Sequence, residues 1–229
     1  PKGPNDLFIV GDGHQRIYGK NKVVLGQCGI DIRGRSARLK VNYRTTDETR
    51  KLAVSILENV EVDDLDGGAD THRFYHSLMH GPKPVVRCFE SADQQAGAVL
   101  EAIKEHAFNP EACCVIARTR KELMAIRAAL ESLNQVCHTL DARSARTPDT
   151  AINLATMHRV KGVEFDAIFL ASANKGLVPL DFVVNSAADA VTRRQLEDEE
   201  RALVYVSLTR ARKLAYVFAV GEIGSWFAE

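Results

Sequence analysis

The sequence has no surplus of one charge, no long apolar run and no spaced cysteine pattern, and each absence removes a class of function. Thirty basic residues balance thirty acidic ones. Global charge therefore does not announce a polyanionic partner, and any such contact has to come from a local surface. No window approaches the roughly 18 consecutive apolar residues of a membrane-spanning helix. The five cysteines, Cys28, Cys88, Cys113, Cys114 and Cys137, are odd in number. They form no C-x-x-C pair and no Cys/His cluster at ligand spacing, which argues against a metal site. Cys113 and Cys114 fall in the apolar run Cys113-Cys114-Val115-Ile116-Ala117, where a thiol behaves as a small hydrophobe, and a reducing cytoplasm is the compartment this usage suggests. The start, Pro1 to Asp6, lacks an initiator Met and the apolar stretch of a secretory signal, so it reads as an internal cut in a longer protein. Internal repeats and low-complexity tracts are also absent.

What is present is a pattern of α/β organisation. The 229 residues, 45% of them hydrophobic, suffice for one sizeable core or two small ones. Short β-branched runs alternate with longer amphipathic stretches, as in βα units around a mainly parallel sheet. The predicted strands are Leu7 to Val10, Arg38 to Val41, Val85 to Phe89, Cys114 to Ala117, Ile152 to Ala155, Ala167 to Ala171 and Leu214 to Val220. Three helices are expected between them. Ser91 caps the first, Thr119 caps the second, and the third runs from about Thr192 to Arg212 with Leu203, Val206 and Ser207 on its packed face. A further helix is entered through Thr46. Residues 60–79 read as a loop with a short hairpin and 174–189 as a loop. The densest positive cluster is Arg33, Arg35, Arg38 and Lys40, either a solvated turn or a phosphate-contacting surface.

Four polar segments lie where chemistry could be done. Gly11-Asp12-Gly13-His14-Gln15-Arg16-Ile17-Tyr18 follows the first predicted strand. Arg16 stands where a dinucleotide fingerprint needs its third glycine, so that motif is rejected. Asp12, His14 and Gln15 remain candidates by position, and a Gln, which both donates and accepts, suits a phosphate sensor or a water-orienting group. In Asn42-Tyr43-Arg44-Thr45-Thr46, Tyr43 can stack on a base and Arg44 can fork onto a phosphate. Thr156 to Asp166 places Thr156, His158 and Lys161 at the sheet edge, with Gly162 allowing close backbone approach. Lastly, Glu199 to Arg212 puts Arg210 on the packed side of a helix, where a guanidinium needs an anionic partner, a local Glu or a ligand.

In this order the four segments resemble the signature motifs of UvrD/Rep-type superfamily 1 helicases. Gly11-Asp12-x-x-Gln15-x-Ile17-Tyr18 is similar to motif III and Asn42-Tyr43-Arg44 to motif IV. Thr156-x-His158-x-x-Lys161-Gly162-x-Glu164-Phe165 is similar to motif V, and Glu199-Glu200-Arg201 through Tyr205-Val206 to Thr209-Arg210-Ala211 to motif VI. The resemblance implies a RecA-like fold of the P-loop NTPase class, as the second motor domain of an ATP-dependent DNA helicase. It implies that Gln15 senses the γ-phosphate, Tyr43 stacks on adenine, Arg44 and Arg210 act as arginine fingers, and Glu164 accepts from the ribose. Lys161 and Gly162 would lie with them at the nucleotide. Tyr18, Thr156 and His158 would lie near single-stranded DNA.

The departures shape the expectation. Neither a G-x-x-x-x-G-K-[ST] loop nor an apolar strand ending in Asp-Glu occurs, so the Walker A and B motifs are lacking. ATP and Mg2+ would then need the N-terminal motor domain of the same protein. Residues 1–24 are expected to be the end of that first domain and 25–229 the second, without the large insert that separates motifs IV and V in longer helicases. Gly19-Lys20-Asn21-Lys22 stands where family members carry base-stacking residues. That leaves an alternative reading, a helicase-like ATPase that remodels a protein complex such as RNA polymerase.

Overall fold

The computed structural model describes residues 8–12, 15, 17, 25–30, 32, 34–37, 39–58, 60, 62–63, 69–70, 75–140 and 147–228. In chain order the elements are β1 (Val41–Asn42), α1 (Asp47–Ile56), β2 (Val62–Asp63), β3 (Ala69–Asp70), β4 (His76–Ser77), β5 (Val85–Phe89) and α2 (Ala92–Glu105). They continue with β6 (Cys113–Ala117), α3 (Arg120–Ser132), β7 (Cys137–Thr139), β8 (Ile152–Thr156), β9 (Phe165–Leu170), α4 (Asp181–Val184), α5 (Ala190–Leu208) and β10 (Ala211–Val220). Six strands form one sheet in the order β5-β10-β9-β6-β8-β7. Every neighbouring pair in it is parallel.

Sequence composition explains the layering. Strands covered on both faces read as near-continuous apolar runs, and all five residues of β6 are buried. On one face Ile116, Ile168 and Val217 pack with Ile56 of α1 and Leu203 and Val206 of α5. On the other, Val115, Phe169 and Phe218 pack with Val99 of α2 and Ile126 and Leu130 of α3. The entries of the four long helices are capped by a side-chain oxygen that accepts one of the unpaired first-turn N–H groups. Thr46, Ser91, Thr119 and Asp189 do this for α1, α2, α3 and α5. Cys113 and Cys114 lie fully buried in β6, whereas Cys28 and Cys88 are exposed.

Several expectations are corrected. Residues 8–10 form no strand and are exposed, and Leu7 lies outside the described residues. The predicted strand at Arg38 to Val41 reduces to Val41–Asn42, paired in parallel with β4, and Arg38 is again outside. Both segments are short of partners, and an apolar run becomes a strand only when a neighbour completes its ladder. The third predicted helix starts earlier, behind Asp189, and ends at Leu208; of its expected last turn, Thr209 and Arg210 form the turn out of the helix, and Ala211 and Arg212 begin β10. The polar strand β7, an edge of the sheet, has no periodic signal. The loop expected at 174–189 contains the short α4, while the hairpin expected within 60–79 is β2–β3. Of the basic cluster, Arg35 and Lys40 are exposed, and Arg33 and Arg38 are outside the described residues.

One contact makes a sharp test of this packing. The Gly224 N–H donates to Ala173 O at 2.8 Å, and a Cβ at Gly224 would stand 2.2 Å from the Val178 carbonyl oxygen. Backbone cannot swing aside, so Gly224→Ala is expected to cost about 2 to 3 kcal/mol. Gly97, in the middle of α2, has open space around its missing Cβ, and Gly97→Ala is expected to stabilise by up to about 1 kcal/mol. Urea denaturation of the two variants checks both signs.

Candidate functional site

The turn from α5 into β10 buries a charge. Thr209 caps α5 and Arg210 follows it, 3% exposed, so Arg210 sits in a helix-to-strand turn and not on a helix face. Its Nε donates to Val206 O at 3.0 Å and its Nη2 to Thr209 Oγ1 at 3.3 Å. Both acceptors are neutral. The local salt bridge that the sequence left open is not there, since Arg210 has no ion pair among the described residues. Burial first, and then the positive charge of Arg44, push its guanidinium down from the ordinary value; Tyr205, Glu164 and Asp12 act the other way.

Around this turn the four sequence segments converge. Asn42 Oδ1 accepts from the N–H groups of Arg44 at 2.7 Å and Thr45 at 3.1 Å, and Thr45 Oγ1 donates to Thr209 O at 3.2 Å. Arg44 Nε lies 2.6 Å from Glu164 Oε2. The backbone beside Glu164 is fixed as well, because the Phe165 N–H donates to Arg210 O at 3.0 Å. Gly162, at φ 93°, makes the turn before it in the left-handed region that favours glycine. Lys161 Nζ donates to Gln15 O at 3.0 Å, and Gln15 Nε2 to Asp12 Oδ2 at 2.7 Å. Ile17 is buried in the core with Ile56 and Val204. Tyr43 presents its ring to solvent, 72% exposed. Tyr18 and His14 lie outside the described residues.

Glu164 and Arg210 immediately precede β9 and β10, so the cluster lies at the amino ends of these two strands. Thr156, by contrast, ends β8, and His158 follows it at the carboxyl edge. The motif that sequence reading placed at one edge is thus divided between two.

At the carboxyl edge the structure adds two residues that sequence reading did not pair. Arg118, just beyond β6, grips Glu200 of α5 with Nε to Oε2 at 2.8 Å and Nη2 to Oε1 at 2.5 Å. The Leu180 N–H donates to the same carboxylate at 3.1 Å. Glu200 is 3% exposed. A signal for it existed: Glu200 stands three and seven residues before Leu203 and Ser207, on the packed stripe of α5, and a buried acid requires a cation. Half-buried His158 is pushed below the ordinary imidazole value of 6.5 by burial and by Arg118, with Glu200 opposing. Among the described residues no group of three or more His, Cys, Asp or Glu could hold a metal ion, and no helix is long and apolar enough to cross a membrane.

Two predictions follow from this edge. Arg118→Ala leaves a carboxylate buried without its cation and is expected to cost about 3 kcal/mol or more in urea denaturation. His158 binds its proton less readily folded than unfolded, so its contribution to stability is present above pH 6.5 and is lost as pH falls through that value towards the depressed folded pKa. The difference in melting temperature between the parent and His158→Gln, followed from pH 7.5 to 5.5, is expected to shrink with acidification.

With the geometry in place, comparison with known proteins is informative. Residues 137–221 match the family model described as the UvrD-like helicase C-terminal domain, a span that includes Thr156, His158, Lys161, Gly162, Glu164 and Arg210. Over 151 residues the chain is 28% identical to the "Probable DNA helicase II homolog" of Mycoplasma pneumoniae, covering 64% of this chain and 20% of that protein. It is 31% identical over 104 residues to the ATP-dependent DNA helicase UvrD2 of Mycobacterium tuberculosis, covering 44% and 14%. It is 38% identical over 69 residues to the ATP-dependent DNA helicase PcrA of Leuconostoc citreum, covering 30% and 8%. The chain thus spans a fifth or less of the length of these relatives. A crystal structure of the C-terminal domain of a possible DNA helicase from Lactobacillus plantarum shares the fold, with a TM-score of 0.55 and 19% identity over 82% of this chain and 92% of that one.

Proposed function

We propose, from the match of residues 137–221 to the family model of the UvrD-like helicase C-terminal domain, that this chain is the second motor domain of an ATP-dependent DNA helicase or translocase. Residues 25–229 form that domain, and residues 1–24 are the end of the first. The first domain supplies the phosphate cradle and the Mg2+ ligands, and the nucleotide sits between the two. Arg210 and Arg44 are the fingers that neutralise charge developing on the transferred phosphoryl group. Gln15 senses the γ-phosphate. Tyr43 stacks on the base, and Glu164, with Lys161 and Gly162 beside it, completes the nucleotide side. Tyr18, Thr156 and His158 contact single-stranded DNA, and the cytoplasm is the compartment.

One observation carries this reading above the others. Arg210 is a nearly fully buried guanidinium whose hydrogen-bond partners among the described residues are neutral, with a second guanidinium close enough to depress it. Such a charge costs stability and is retained where an anion from outside completes it. The match of residues 137–221 to a helicase domain family supports a nucleotide phosphate as that anion.

The test is Arg210→Ala in the longer protein with DNA present. ATP turnover per folded molecule is expected to fall about a thousandfold, with the melting temperature little changed because a buried uncompensated charge is removed. Arg210→Lys, which keeps the charge but loses the planar fork, is expected to recover little of it. Turnover within a few-fold of the parent in the Ala variant would refute the assignment.

A further inference from the structure

At the start of β10 the charge of Arg44 acts on Arg210, and among the described residues only Arg44 has a carboxylate partner. Arg210 is tied to Val206 O and Thr209 Oγ1. Arg44 carries the Glu164 carboxylate at 2.6 Å. Both members of the pair are held through their backbones. Arg44 is anchored through its backbone by Asn42 and through the adjoining Thr45–Thr209 bond, and Glu164 through the Phe165–Arg210 backbone bond. Among the described residues, however, the Glu164 carboxylate bonds to Arg44 alone. Both side chains are open to solvent, 47% and 44% exposed, so a dissolved anion can reach the contact.

We propose that Glu164 is a placeholder: in the unliganded domain its carboxylate occupies the position on the Arg44 guanidinium that a terminal phosphate takes in the loaded one. The inference rests on the nucleotide-facing reading of this cluster, and it adds how the site is kept without nucleotide. Three physical points support it. A carboxylate and a phosphate oxygen accept from the same guanidinium donors, and Glu164 takes the Nε donor of Arg44, so a phosphate oxygen can replace it without moving the arginine. Two neighbouring guanidinium groups repel, and Glu164 is one of the groups that offset the charge of Arg44 at Arg210; leaving without a replacement would strand both. An ion pair this exposed is also weak, so a polyphosphate bearing several negative charges displaces it where a single weak anion gains little. The apparent affinity for the incoming anion is then lowered by the fraction of molecules in which Arg44 is already occupied.

The exchange can be read on the chain itself with inorganic tripolyphosphate as the probe, by calorimetric titration of the parent, Glu164→Gln, Arg44→Ala, the Arg44→Ala/Glu164→Gln double variant and Arg210→Ala. Glu164→Gln is expected to bind about fivefold tighter or more, because the competitor and one repelling charge are both removed. In the double variant that gain is expected to shrink to the small part owed to general charge, since a placeholder acts only through Arg44. Equal or weaker binding by Glu164→Gln, the same gain with and without Arg44, or no binding by either the parent or Glu164→Gln would each overturn the placeholder. Loss of the nucleotide-facing reading looks different: tripolyphosphate would bind the parent, and neither Arg44→Ala nor Arg210→Ala would weaken it. Arg44 is exposed, so its variants keep that comparison available if Arg210→Ala does not fold.

Discussion

Parallel pairing is the constraint from which the arrangement of this molecule follows. In a parallel sheet every connection must travel from the carboxyl edge back to the amino edge. Between β8 and β9 only residues 157–164 make that journey, past a neighbouring strand about 17 Å tall. They leave the carboxyl edge at His158 and arrive at the amino edge with Glu164. Helix α5 makes the same descent, with Glu200 beside the first edge and Arg210 just beyond its end. Met157 and Val160 of the connection share a core with Leu203 and Val206 of the helix. Two packed connections therefore join the proposed strand-contact edge to the proposed nucleotide edge on a single face of the sheet.

The contrast between two buried arginines explains which part of this machinery holds the fold and which part is held by it. Arg118 is matched by Glu200 with two hydrogen bonds, and that carboxylate also accepts from Leu180. Three separate stretches of chain are fastened there, and the charges cancel where they are buried. Arg210 is oriented just as firmly, yet by neutral oxygens, and its charge is left standing. A structural pair closes its own electrostatics within the domain. On the proposed reading, Arg210 keeps them open for a ligand.

Much of this was legible in the sequence, for identifiable reasons. Strands β6, β8, β9 and β10 declare themselves because burial on both faces demands uninterrupted apolar runs, and the caps Thr46, Ser91 and Thr119 because short polar side chains are selected at those positions. The four polar segments were legible as a set. The place where they meet was not: periodicity does not say that a connection crosses to the opposite edge, so the segment from Thr156 to Asp166 read as lying at one sheet edge when it runs between two. Arg210 read as a helical residue because the apolar spacing of α5 runs on without a break into β10. Strand β7 and the Arg118–Glu200 pair depend on partners distant in sequence, 82 residues apart in the second case, and no local pattern encodes such a partner.

The two adjacent thiols of β6 have a consequence of their own. Burial raises Cys113 to about 12 and Cys114 well above the ordinary thiol value, so at neutral pH neither sulfur is a thiolate, the form that reacts. Exposed Cys28 and Cys88 meet no such barrier to reagents. Alkylation of this protein therefore divides into two time scales. The slow one, at sulfurs in an interior strand between β9 and β8, is a clock for whole-sheet opening that the sequence carries without any added probe.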